Sequence, residues 1–316
     1  MMSESQLELL SYLVGEPGEE TSISDLAEGI GWSDGYVSRV VSELDSNGYV
    51  RTKRDGRQKL VALSEIEPIE RLESLMLEYD HVDFPTLIAG SGLALLYYLD
   101  EPRTATVLSE MSGVSRATVY KRLNTLQRVG IVGKSESHYR LNEPFSSLSR
   151  IARGLAHHEH RREAERYTSG VNIRWETHDE YLFACDTEFV AEQFHETGPG
   201  LFAEFDIPLL TRQRRHYFRS DRTTNISAAD LVCHTLLIDD GARYRTYSLL
   251  LIQAERVGRD TLRDTAEHYS PEAGVDLRSI VDELIEYLET EGEVPTDQLP
   301  SWQEFKNTAA DYEIDV

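Results

Sequence analysis

Within SRATVYKRLNTLQRVG, residues 115–130, Ala117, Lys121, Asn124 and Arg128 stand at helical spacing on one face. Asn offers a donor beside an acceptor, which matches an adenine edge, and Lys or Arg supplies the donors that match guanine or a phosphate oxygen. The chemistry such a face performs is hydrogen-bonded reading of a duplex. Tyr120 and Thr118 flank it, Arg116 lies in the first turn, and Ser115 precedes it. A second stretch, SDGYVSRVVSELDSNG at 33–48, sets Ser33, Gly35, Ser38, Arg39 and Ser42 in matching places, with Tyr36 at the edge. Arg51, Lys53, Arg54, Arg57 and Lys59 follow it, opposed within that run by Asp55 alone, and suit phosphates or a minor groove. Lys134 follows the later stretch.

Groups for covalent chemistry are scarce. The chain has no P-loop, no Gly-x-Ser-x-Gly and no His-Glu-x-x-His. Gly90-Ser91-Gly92 lacks the strand and further glycines of a nucleotide loop, and reads as close helix packing. Asp239 and Asp240 are adjacent at a helix end, and Cys233 and His234 are adjacent within a helix, so each pair points apart. His157, His158 and His160 give one i,i+3 pair with no acidic or cysteine partner singled out. The expectation is a chain that is not an enzyme and takes no cofactor and no metal.

The elements that carry the two faces repeat. At an offset of 82 without a gap, residues 24–50 and 106–132 agree at Leu26/Leu108, Glu28/Glu110, Gly31/Gly113, Ser33/Ser115, Val37/Val119, Leu44/Leu126, Gly48/Gly130 and Val50/Val132. Such agreement marks one supersecondary unit used twice. In each copy a Ser can cap the longer helix and a Gly lets the chain leave it left-handed. Val37, Val40, Val41 and Leu44 form one apolar stripe; Val119, Leu123 and Leu126 form the other, with Arg122 at its border. Ile23 is expected as a short strand, Ser24 as the cap of the preceding helix, and Gly31-Trp32 as the turn. After Gly48, two β-prone runs flank Asp55-Gly56, which predicts a hairpin with those two residues as its turn.

A helix-turn-helix followed by a hairpin is a winged helix. With Leu26, Gly31, Ser33, Val37, Leu44, Gly48 and the Asp55-Gly56 wing in this order, the chain resembles the MarR- and ArsR-type winged-helix transcription factors of bacteria and archaea. The resemblance covers about the first half of the chain. It implies double-stranded DNA as the partner.

Composition bounds the class. The 316 residues leave room for two or three domains. No apolar run approaches the roughly 20 residues needed to span a bilayer, and 93–99 is core-helix length. MMSESQLELL lacks a secretory signal, and Cys185 and Cys233 are too few for a disulfide framework. These features predict a cytoplasmic protein without a membrane partner.

The net charge of −24 argues against a phosphate partner at first sight. Lysine, however, is confined to positions 53, 59, 121, 134 and 306 among 56 acidic residues, and that balance resembles proteins of salt-in halophiles, archaeal ones in particular. At molar salt the Debye length is about 3 Å, so long-range repulsion is screened while contact-range pairs survive. The charge is also uneven: 103–166 carry +6 and 271–316 carry −11.

Between and beyond the repeats, 64–79 read as a linker helix starting near Pro68. It either spaces the two units or pairs with a second copy in a homodimer. An apolar helix is expected over 87–99, and a basic amphipathic helix over 146–167, spanning between domains within reach of DNA. In the second half, VNIRW, YLFAC and RRHYFRS read as strands, the last with Arg212, Arg214, Arg215, Arg219 and Arg222 about it. FVAEQF is expected to start helical. Helices are expected after Ser227, over 242–256, after Asp260, over 276–289 and after Ser301. Through TGPGLFAEFDIPLL, the basic strand and ADLVCHTLLID, 197–289 resemble the C-terminal half of AbiEi-type antitoxins, which implies a partner-binding or sensing module.

The fold class expected is mainly α, of α+β type, with two tandem winged helix-turn-helix domains and a C-terminal, mostly helical α+β domain. The boundaries are 1–64 and 84–144 for the winged helices, 65–83 and 145–170 for the connecting helices, and 171–316 for the remainder. The function expected is a sequence-specific double-stranded-DNA-binding transcriptional regulator. The alternative is an antitoxin-like or assembly protein that holds a protein partner through its C-terminal half and autoregulates its operon.

Overall fold

The computed structural model describes residues 1–15, 20–209, 214–294 and 296–316, so most of the 15–20 connection, and Arg212, lie outside it. The fold is α+β and mostly helical, with small antiparallel sheets. It divides into two compact units, Met1–Arg162 and Glu163–Val316.

In the first unit, α1 (Glu4–Gly15) opens on a reciprocal cap: the Gln6 N–H donates to the Ser3 hydroxyl and the Ser3 N–H to the Gln6 side chain. Then come β1 (Thr21–Ser22), α2 (Ile23–Ile30), α3 (Asp34–Ser46) and the hairpin of β2 (Val50–Asp55) and β3 (Gln58–Leu63), in sheet order β1-β3-β2. The cap of α2 is Ser22 and not Ser24. Thr21 and Ser22 are drawn into the sheet by pairing with Val61 and Leu60, so Ile23 already lies in the helix. The Ser22 hydroxyl accepts the Asp25 N–H at 3.2 Å, whereas Ser24 donates to Asp34.

The hairpin turn also differs from the expectation. Asp55 pairs with Gln58, which makes the turn Gly56-Arg57, with Gly56 at φ +59°. Pairing Val50 with Leu63 and Thr52 with Val61 keeps Val50 and Val61 buried; a slip of one residue would turn them outward.

After α4 (Glu67–Glu78), which buries Ile69, Leu72, Leu75 and Met76, the helix expected over 87–99 is broken into α5 (Phe84–Ile88) and α6 (Ser91–Tyr97). Gly90 sits between them at φ 54°, its N–H donating to the Met2 carbonyl at 3.0 Å. Gly92 serves close packing: a Cβ there would stand 2.8 Å from the Leu87 oxygen.

The second copy follows: β4 (Arg103–Thr104), α7 (Ala105–Ser112), α8 (Arg116–Arg128), β5 (Val132–Ser135) and β6 (His138–Leu141), in sheet order β4-β6-β5. The offset of 82 holds at the backbone level. Ser22 and Thr104 cap α2 and α7, Gly31 and Gly113 end them at φ 82° and 63°, and Gly48 and Gly130 stand at φ 75° and 76°. Only the hairpin is shorter, closing with Ser135 opposite His138. Finally α9 (Ser147–Glu165) lays Leu148, Ile151, Ala152 and Leu155 against the same apolar core, which runs through both copies. The buried Tyr49 hydroxyl donates to the Leu155 carbonyl and to Glu159, and burial beside that carboxylate pushes the phenol up.

The second unit contains β7 (Asn172–Glu176), β8 (Tyr181–Cys185), β9 (Phe194–Thr197) and β10 (Arg215–Arg219), in order β7-β8-β10-β9. Alternation sends Leu182 and Phe218 to a core shared with the helices, and Tyr181, Phe183 and Tyr217 to an aromatic cluster on the other face. FVAEQF does not start a helix. The Phe189 ring lies 4.3 Å from that of Tyr217, tilted by 31°, the Tyr217 hydroxyl accepts the Phe189 N–H and donates to its carbonyl, and Phe194 begins β9. The helices are α10 (Ala228–Ile238), α11 (Ala242–Ala254), α12 (Arg259–Tyr269), α13 (Leu277–Glu289) and α14 (Trp302–Asp311). Capping boxes open α10 at Ser227 and α14 at Ser301. Gly258 rather than Asp260 caps α12, with Asp260 in the first turn.

Candidate nucleic-acid interface

Each long helix of the repeat is positioned from both ends and from below. Ser33 accepts the Tyr36 N–H and Ser115 the Thr118 N–H, which fixes where α3 and α8 begin. Val37, Val40, Val41 and Leu44 are buried beneath α3, and Val119, Leu123 and Leu126 beneath α8. Each such side chain contributes about 1.5–3 kcal/mol by leaving water. The opposite faces are therefore held outward. Gly35, Ser38, Arg39 and Ser42 are exposed on α3, and Arg116, Ala117, Tyr120, Lys121, Asn124 and Arg128 on α8, while Tyr36 and Thr118 are half-buried.

Arg122, at the border of the stripe, is turned into the fold. It donates to Ser91 Oγ and to the carbonyls of Thr86 and Ala89, closing the end of α5. Tyr36 supports its neighbours: its hydroxyl bonds Ser5 at 2.7 Å, its ring meets Trp32 edge-on, and the Arg39 guanidinium lies over it at 4.9 Å.

On the first hairpin the five cations differ in their surroundings. Arg51 pairs with Glu65 at 2.9 Å, Lys53 with Glu20 at 3.4 Å and Lys59 with Asp45 at 4.0 Å. These pairings were not legible in the sequence, because each acid comes from outside the cationic run. Arg54 and Arg57, exposed at the tip, have no acidic partner among the described residues. On the second hairpin Lys134 covers the Tyr139 ring at 4.9 Å. His138 and Arg140 are exposed beside it, as strand alternation about the buried Tyr139 requires.

Several other cations are engaged within the fold. On α9, Arg153 donates to the Tyr97 carbonyl and pairs with Asp100, and His158 bonds the Asn47 carbonyl at 2.7 Å. In the second unit Arg214 pairs with Asp186, Arg215 with Glu188 and Glu196, Arg219 with Glu163 and Asp221, and Arg222 with Asp179. Cys233 is buried, which pushes its thiol up, and His234 bonds Thr197 through Nδ1. Among the described residues no group of three or more His, Cys, Asp or Glu could hold a metal ion, and no helix is long and apolar enough to cross a membrane.

Residues 93–146 match the family model of the sugar-specific transcriptional regulator TrmB. Residues 9–64 match a domain of unknown function, DUF7343, and residues 191–314 match the C-terminal family model HVO_2833_C. No curated protein matches the chain. The second copy of the repeat is thus similar to a winged-helix transcriptional regulator, a class that binds DNA.

Proposed function

We propose that the chain is a sequence-specific, double-stranded-DNA-binding transcriptional regulator that uses two winged helices, at 1–64 and 84–144, with 171–316 serving a sensing or partner-binding role in the cytoplasm. The observation that carries this reading is the pairing, on each long helix, of a fully buried apolar face with an exposed face of hydrogen-bonding side chains. An interaction module that docks proteins would instead expose apolar residues there. The similarity of 93–146 to a transcriptional regulator supports the same conclusion.

Selection from a random duplex library with the full-length protein tests the reading. Enrichment of a defined sequence is the expected outcome. Failure to enrich any sequence, from low to molar salt, overturns it.

A further inference from the structure

The two long helices share a backbone and differ in what they present. Position by position at the offset of 82, Asp34 corresponds to Arg116, Ser42 to Asn124, Glu43 to Thr125 and Ser46 to Arg128. Helix α3 holds Asp34, Glu43 and Asp45 against Arg39, a net −2, while α8 holds Arg116, Lys121, Arg122 and Arg128 with no acid. Even with Arg122 turned inward, α8 stays cationic outside. Carboxylates carried to the phosphate backbone lose water and meet like charge, which molar salt does not remove at contact range.

Hydrogen-bonding capacity divides in the same way. On α3, Ser42 donates to the Ser38 carbonyl and Ser46 to the Glu43 carbonyl, each at 2.8 Å, and Arg39 is laid over Tyr36. On α8, the side chains of Tyr120, Lys121, Asn124 and Arg128 have no partner among the described residues. Ala117 adds a methyl of the kind that meets thymine, where α3 has Gly35.

We propose that base reading belongs to α8, with Lys121 and Asn124 setting specificity, and that the first winged helix holds the duplex backbone through Arg54 and Arg57 at its wing tip. This rests on the DNA-binding reading above. Asn124 takes an adenine edge and Lys121 a guanine edge within one half-site.

The test repeats the duplex selection with wild type and with Lys121→Ala, Asn124→Ala and Arg39→Ala, followed by titration of the wild-type consensus. Folding is checked by far-ultraviolet circular dichroism and melting, which these exposed positions should leave unchanged. Asn124→Ala and Lys121→Ala are expected to weaken the consensus about ten- to a hundred-fold and to lose preference at one base pair each. Arg39→Ala is expected to select the same sequence as wild type. Loss of a base preference in Arg39→Ala, or an unchanged consensus in Asn124→Ala and Lys121→Ala, overturns the assignment to α8 while leaving DNA binding standing. A wild type that selects nothing overturns the functional reading itself.

Discussion

Gly48 and Gly130 adopt the same left-handed φ, yet their surroundings differ. A Cβ on Gly48 would stand 3.2 Å from His158 Nε2, while around Gly130 nothing lies within 4 Å. Gly130→Ala should therefore cost the left-handed penalty alone, about 1–2 kcal/mol. Gly48→Ala should cost more, because it also presses on the His158 bond to Asn47. Urea unfolding of the two variants checks this, and equal losses would contradict it. Burial likewise sets His216 and His234 apart, holding each at about 4, with nearby arginines adding to the effect at His216. The unfolded chain takes up those protons near pH 6.5 and the folded chain does not, so stability should fall as pH drops from about 6.5 toward 4, by about 1.4 kcal/mol per unit per group. Denaturant unfolding across that window, with His234→Gln expected to flatten the slope, measures the effect; stability that rises on acidification would refute it.

The hairpins and helices show how far local sequence reaches. Ser33, Ser115, Gly31, Gly113, Gly48 and Gly130 were readable because caps and left-handed exits are needs of the local backbone. The buried stripes were readable for the same reason, as a matter of spacing. What escaped depends on distant partners. Ser22 caps α2 because β1 pairs with β3, α5 and α6 separate where Gly90 meets Met2, and the Phe189 backbone is tied to the Tyr217 hydroxyl. The outward exposure of Ala117, Tyr120, Lys121, Asn124 and Arg128 on α8 was legible, whereas three of the five wing cations are tied to Glu20, Glu65 and Asp45. Such exposed pairs are worth about 0.2–1 kcal/mol each and yield to phosphate, but the tip needs no exchange of partners among the described residues. Arg54→Ala with Arg57→Ala should weaken every duplex alike and reduce the log–log salt slope by about 0.9 for each phosphate no longer neutralised. A loss confined to one sequence, seen in salt titrations on specific and random duplexes, would assign these residues to base reading instead.

Both copies of the repeat build one apolar core with α1, α4 and α9, so the two outward faces belong to a single compact unit rather than to separate domains on a loose tether. That arrangement, on a chain of net charge −24, sets Arg116, Lys121 and Arg128 outward on α8 and Arg54 and Arg57 outward at one wing tip. The most direct test places a photo-crosslinking benzoylphenylalanine at Tyr120, an exposed aromatic position on α8, and irradiates the full-length protein on its selected duplex. Crosslinks to bases within the selected sequence, mapped by primer extension, are the predicted result. A chain that stays bound to the duplex without crosslinking from this position would contradict it.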